Sequence, residues 1–184
     1  MAEFVVGRLL VASPELLDPN FLRTVVLILL HDENGAFGIV LNRPTTMPVD
    51  DHIPAWSEHI AAPTKIFTGG PVQPEAAIGL ALGFGDPGGE GWNGMPLGLG
   101  LVDLSRDPDL VGATIERVRV FAGYSGWGAG QLDGEIEQGG WFVVDYDESD
   151  TFTEEPATLW RRVLQRQHGK LALFAHAPLD PRVN

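Results

Sequence analysis

The segment Val25–Asn42, VVLILLHDENGAFGIVLN, decides the fold. Two apolar runs, Val25–His31 and Ala36–Asn42, flank Asp32-Glu33-Asn34-Gly35. Asn-Gly between such runs is the strongest short hairpin signal, because both residues tolerate the positive φ of a type I′ turn. Neither arm alternates apolar with polar residues. Each strand must therefore be covered on both faces, which places the hairpin inside the molecule.

Outward from this hairpin the chain mixes strands and short helices irregularly. Upstream, Phe4–Ala12 reads as a buried strand. Ser13-Pro14 and Asp18-Pro19 each set a capping side chain before a proline suited to the first helical position, so one or two short helical turns are expected. Downstream, Pro44 ends the second arm, and Val49–Ile60 is expected to hold a short helix limited by Pro54. Lys65–Thr68, Ala76–Leu82, Leu97–Leu104, Val118–Ala122 and Trp141–Asp145 read as strands. Gly69-Gly70-Pro71 reads as a tight turn and Gly83–Gly94 as a glycine-rich loop. Asp107-Pro108 opens a short helix to about Ala113, and Gln131–Gln138 forms another. The last helix spans about Glu154–Gln167, capped by Thr153. Ala157, Trp160, Val163 and Leu164 form its apolar stripe, and Arg161, Arg162 and Arg166 lie toward its negative end. No repeat or linker divides the chain and no long βαβ crossover occurs. An α+β fold in one domain, residues 1–184, is expected.

Composition narrows the function. Of 184 residues 44% are apolar, enough for a sizeable core, and 25 acids against 12 bases leave a formal charge of −13. That charge repels phosphate backbones, so nucleic acid is not expected as a direct partner. There is no cysteine, which excludes disulfides and thiolate metal sites and fits a reducing compartment. The N-terminal stretch, interrupted by Gly7 and Arg8, is a poor secretory signal. The longest apolar run, Val25–Leu30, falls far short of the roughly 18–20 residues that cross a bilayer. A cytoplasmic protein without a membrane partner is expected.

Several motif matches lack the context their chemistry needs. Gly83-Phe84-Gly85-Asp86-Pro87-Gly88 matches GxGxxG, but Asp86 would repel a pyrophosphate and the glycines continue as a loop rather than opening a helix. Asp145–Asp150 resembles the start of a calcium loop, yet Asp150 stands where glycine is required and Pro156 where glutamate is required. These acids read as a solvated connection. The five histidines show no zinc spacing, so neither a metal nor a cofactor is expected. Ser125 follows a strand, but an esterase elbow needs glycine two residues later, where this chain has Trp127. It reads as a turn serine, and no catalytic residue is assigned.

Gly123–Ile136, GYSGWGAGQLDGEI, is harder to set aside. Its four glycines at 123, 126, 128 and 130 allow an unusual backbone path. Gln131 and Glu135, spaced i, i+4, share one side of the following helix beside Leu132 and Ile136. Two readings stand. One is a glycine-rich corner that packs Tyr124 and Trp127 into the core. The other is a pocket wall with a polar pair and free amides at a helix N-terminus.

Three stretches carry a family resemblance: the run Gly7–Pro44 that contains the hairpin, GGPV at Gly69–Val72, and Gly123–Ile136. In this order, over most of the chain, they resemble the AlgH/YqgE family of bacterial proteins. The resemblance implies an intracellular α+β domain with a branched, mixed or antiparallel β-sheet that includes a small closed barrel, surrounded by short helices. It implies no reaction, because the family has none established, and relatives often carry alanine where Ser125 stands. One branch is labelled a regulator of alginate production. No helix–turn–helix pattern is evident here, and the acidity opposes duplex binding.

Matched residue by residue, the resemblance outlines a candidate ligand-binding surface: Asp18, Pro19, Arg23, His31, Asn42, Arg43, Gly69, Gly70, Tyr124, Trp127, Gln131 and Glu135. Each has a plainer role open to it, Asp18 as a cap, Asn42 and Arg43 as strand-end hydrogen bonders, Gly69 and Gly70 as a turn. The leading functional expectation is a non-enzymatic regulatory protein that binds a small molecule or a protein partner. The alternatives are a hydrolase-like enzyme using Glu135 or His31 as general base and an indirect transcriptional regulator.

Overall fold

In the computed structural model, which describes residues 4–86 and 89–178, ten strands dominate and the helices are short. The strands are β1 Leu9–Ala12, β2 Val25–Asp32, β3 Gly35–Val40, β4 Pro44–Pro48 and β5 Lys65–Thr68. They continue with β6 Val72–Gly85, β7 Trp92–Gly94, β8 Leu99–Val102, β9 Ala113–Gly128 and β10 Trp141–Val144. The helices are α1 Gln131–Glu137, α2 Glu148–Thr151, α3 Leu159–Gln165 and α4 Lys170–Phe174.

The strands run in the order β10-β1-β2-β3-β9-β6-β8-β7, with every neighbouring pair antiparallel. The sheet branches at β9, whose 16 residues serve two arms. One edge pairs with β6. The other receives β5 in parallel at Phe121 and Ala122, then β3 from Ser125 to Gly128. Because both arms leave one long strand at different heights, they splay. Among the described residues β10 pairs only with β1, and β7 only with β8. The barrel is thus open, a half-barrel, and the closed barrel implied by the resemblance is corrected.

The hairpin is covered on both faces, as its composition requires. Leu27, Leu29, Ile39 and Leu41 join Phe67, Phe121 and the α3 residues Leu159, Val163 and Leu164 in one core. Val26, Ile28, Ala36 and Val40 join Trp127, Leu132 and Trp141 in a second. Leu29 is a bulge between Ile28 and Leu30, and it turns Leu30 out to solvent. The turn differs from expectation. Asp32 pairs with Gly35, so its central residues are Glu33 and Asn34; the Asn34 N–H donates to Asp32 Oδ1, an Asx turn that needs no positive φ. Gly35 answers to a different constraint: a Cβ there would lie 2.2 Å from the Trp127 carbonyl oxygen on β9.

Other expectations shift in ways with local causes. The first strand is only Leu9–Ala12, because the chain turns at Val5–Arg8. Ser13 and Asp18 close hydrogen-bonded turns rather than helices. Val49–Ile60 holds a 3₁₀ turn at Pro54–His59. β6 runs through Gly83–Gly85 and β7 begins at Trp92, which shortens the glycine-rich loop. Pro87 and Gly88 of the GxGxxG match lie outside the described residues. The last long helix begins at Leu159, after a 3₁₀ turn at Pro156–Thr158, so Thr153 does not cap it.

The acids before it are not merely solvated. Asp147 caps α2 in a capping box with Asp150. Asp150 is fully buried and accepts two hydrogen bonds from Arg166, at 2.6 and 2.7 Å. Those bonds raise the Arg166 pKa. Arg166 is therefore an ion-pair partner, and helix-dipole complementarity does not account for the whole basic cluster.

Beside this pair, burial pushes the Tyr146 hydroxyl up to about 12. In the unfolded chain tyrosine titrates near ~10. The folded state thus holds a proton that the unfolded state releases. This contribution to stability is fully present below pH ~10 and is lost as pH rises toward the folded value. Melting curves should show wild type losing stability relative to Tyr146→Phe between about pH 10 and 12. Parallel profiles for the two proteins would contradict the buried phenol.

Candidate functional site

The second half of β9 builds the site. Pairing with β3 sets Trp127 opposite Ala36, and the chain then turns at Gly130, in a left-handed conformation, into α1. One helical turn separates Gln131 from Glu135, so both side chains reach back toward β9. The Gly128 N–H donates to Gln131 Oε1 at 3.1 Å, and Gln131 Nε2 donates to Glu135 Oε1 at 2.9 Å. Glu135 Oε2 accepts the indole N–H of Trp127 at 2.9 Å and that of Trp141, from β10, at 2.8 Å. One carboxylate thus gathers three side-chain donors from three elements. A network satisfied in this way holds its members in a single geometry.

Above this network lies a cleft of about 370 Å³. Phe21 stacks on Trp127 with centroids 6.0 Å apart and meets Trp141 edge-on at 5.3 Å, forming an aromatic floor. Glu15, Asp18 and Glu135 line the cleft, and among the described residues no lysine or arginine does. Ser13 also lines it, and its buried hydroxyl has no hydrogen-bond partner. Both readings of Gly123–Ile136 therefore hold in part. The indole rings are core, only 6% and 3% exposed, while their polar edges converge at a cleft. The segment to Gly128 is strand rather than corner, and Gln131 already occupies the Gly128 amide.

Four of the residues singled out from sequence, Asp18, Trp127, Gln131 and Glu135, meet at this cleft. The others do not. His31 is buried beside α1; its Nδ1 accepts the Val5 N–H at 3.2 Å, and its Nε2 lies 3.8 Å from Asp133 Oδ1. Tyr124 packs on Phe37 with centroids 4.8 Å apart. Gly69 and Gly70 are not a tight turn; they carry the chain across β9, with the Gly69 N–H on the Ala122 carbonyl and the Val40 N–H on the Gly69 carbonyl. Ser125 is buried, and its hydroxyl donates to the Gly69 carbonyl at 3.2 Å.

Asn42 and Arg43 form a latch. Asn42 accepts the Val25 N–H and donates to the Arg23 carbonyl, and Arg43 donates to the carbonyls of Pro19 and Leu22. The latch holds Arg23 at φ +57°, a backbone state that costs a side-chain-bearing residue about 1–2 kcal/mol. Sequence reasoning missed Phe21, Ser13, Glu15 and Trp141 as cleft residues. Trp141 had one available signal, since a buried indole needs an acceptor and Glu135 stands six positions before it.

Among the described residues no group of three or more histidines, aspartates and glutamates is placed to hold a metal ion, and no helix is long and apolar enough to cross a membrane. Residues 9–172 match the AlgH-like family, and the chain belongs to it. UPF0301 proteins of Streptomyces avermitilis and Streptomyces coelicolor are 46% and 47% identical to it, each over 97% of this chain and 94% of the relative. The crystal structure of a Corynebacterium diphtheriae protein superposes with a TM-score of 0.86 at 30% identity, covering 95% of this chain and 93% of that one. The solution structure of the AlgH protein from Pseudomonas aeruginosa gives a TM-score of 0.70 at 26% identity, covering 96% and 95%.

Proposed function

We propose that the chain is a non-enzymatic regulatory protein of the bacterial cytosol, whose ligand, a small molecule or a segment of a partner protein, seats in the Trp127–Trp141–Glu135 cleft. The observation that carries this reading is the preorganised carboxylate: three side-chain donors hold Glu135 at the mouth of a cleft floored by aromatic rings. A concave site that sets fixed polar groups beside aromatic side chains suits binding. The carboxylates of Glu15, Asp18 and Glu135 favour ligands that are neutral or positively charged.

The hydrolase alternative draws less support. A nucleophile needs a base within hydrogen-bond reach, whereas the Ser125 hydroxyl donates to a backbone carbonyl inside the sheet. Glu135, the other candidate base, is engaged by three donors. A thermal-shift screen of metabolites and nucleotides, run beside pull-downs with the intact chain, should yield a binder. Its binding should move the indole N–H resonances of Trp127 and Trp141, and Gln131→Ala should weaken it about tenfold, the loss of roughly one hydrogen bond. Failure of both methods to find a binder, or turnover of a compound by the purified protein, would overturn the proposal.

A further inference from the structure

A second concavity, of about 260 Å³, is lined by Arg23, Ala157, Thr158, Trp160 and Arg161. Its charge runs against that of the molecule. In a chain with 25 acids and 12 bases, two guanidinium groups line one pocket, and neither forms an ion pair among the described residues. Burial and the charge of Arg161 both hold the Arg23 pKa below the usual arginine range. The two cations repel each other, a cost that an anion between them would offset.

Arg23 is also held in place for such a role. Its guanidinium lies 4.0 Å from the centre of the Trp160 ring, and Trp160 is itself fixed by its indole N–H on the Ala12 carbonyl at 2.9 Å. Arg23 Nη2 donates to the carbonyls of Ala177 and Pro178. Its Nε is buried and, among the described residues, has no hydrogen-bond partner. Below it, the Asn42 side chain bonds the Arg23 carbonyl at 2.8 Å. A stacked, backbone-anchored arginine is suited to oxyanions, because its guanidinium loses little freedom on binding.

We propose that this pocket is a binding site for the phosphate group of a small metabolite, held between Arg23 and Arg161. Two guanidiniums suit a tetrahedral group with several oxygens better than a planar carboxylate with two; the Thr158 hydroxyl at the rim already donates to the Glu155 carbonyl. The charge of −13 disfavours long polyanions, so the group belongs to a small molecule rather than a nucleic acid. The site is separate from the cleft above, and either can fail without the other.

The test titrates inorganic phosphate into the full chain at constant ionic strength while the Trp160 indole N–H resonance is followed. Saturable binding with a Kd on the order of 1 mM or tighter is expected, and acetate should bind at least about tenfold more weakly. Arg161 is exposed, so Arg161→Ala should fold normally, with its melting curve as the check, and weaken phosphate at least about tenfold. Arg162→Ala changes net charge equally without touching the pocket lining and should bind as wild type. Non-saturating shifts, equal weakening in both variants, or tighter binding of acetate would each overturn the proposal.

Discussion

Gly70→Ala is expected to destabilise the protein by about 3 kcal/mol, the upper end of what overpacking usually costs and a large share of the roughly 5–15 kcal/mol that holds a domain folded. A Cβ on Gly70 would lie 2.2 Å from the carbonyl carbon and oxygen of Tyr124 and 2.5 Å from the Ser125 nitrogen. These are backbone atoms in the strand that carries both arms of the sheet, so no side chain can swing aside to relieve the overlap. Relief would require parting the crossing from β9, with loss of the Gly69 bonds to Ala122 and Val40. Gly70 also sits at φ +155°, which adds strain for any other residue. Urea unfolding provides the measure. A loss below about 1 kcal/mol, the size of an ordinary point substitution, would show that the crossing is not as tight as described.

The second large effect is expected at Glu135. Glu135→Ala removes the acceptor shared by two nearly buried indoles. A buried donor left without a partner costs about 1–3 kcal/mol, so the pair should lose about 2–4 kcal/mol, with cleft water replacing part of the loss. Glu135→Gln keeps one acceptor oxygen for the indoles and should lose about half as much. The double change Trp127→Phe with Glu135→Ala should cost less than the sum of the single ones, because both remove the same bond. Additivity in that cycle would mean that the 2.9 Å contact contributes nothing to stability.

Parts of this architecture are legible in the chain because they depend on near neighbours. The hairpin follows from two apolar runs of the right length, β5 is read to its ends from Lys65 to Thr68, and α1 lies within one residue of its expected span. The Gln131–Glu135 pair follows from helical spacing alone. The glycines of Gly123–Ile136 suggest a corner as one of two readings, whereas Gly123–Gly128 continues β9 as strand. Here the strand tolerates them because it lies against other backbone, as a Cβ on Gly123, 2.7 Å from the Gly70 carbonyl oxygen, would show.

What the chain determined by itself is a short set of demands: which runs must be covered on both faces, and which polar side chains share one side of a helix. Only the tertiary structure decided how those demands are met. Trp141 shares Glu135 with Trp127, Arg166 answers Asp150, and Arg23 and Arg161 line one pocket. The physical reason is one of range. Spacing along a helix or strand sets contacts a few residues apart, while a partner across the fold is chosen by loop closure and packing, which leave no periodic mark in the sequence.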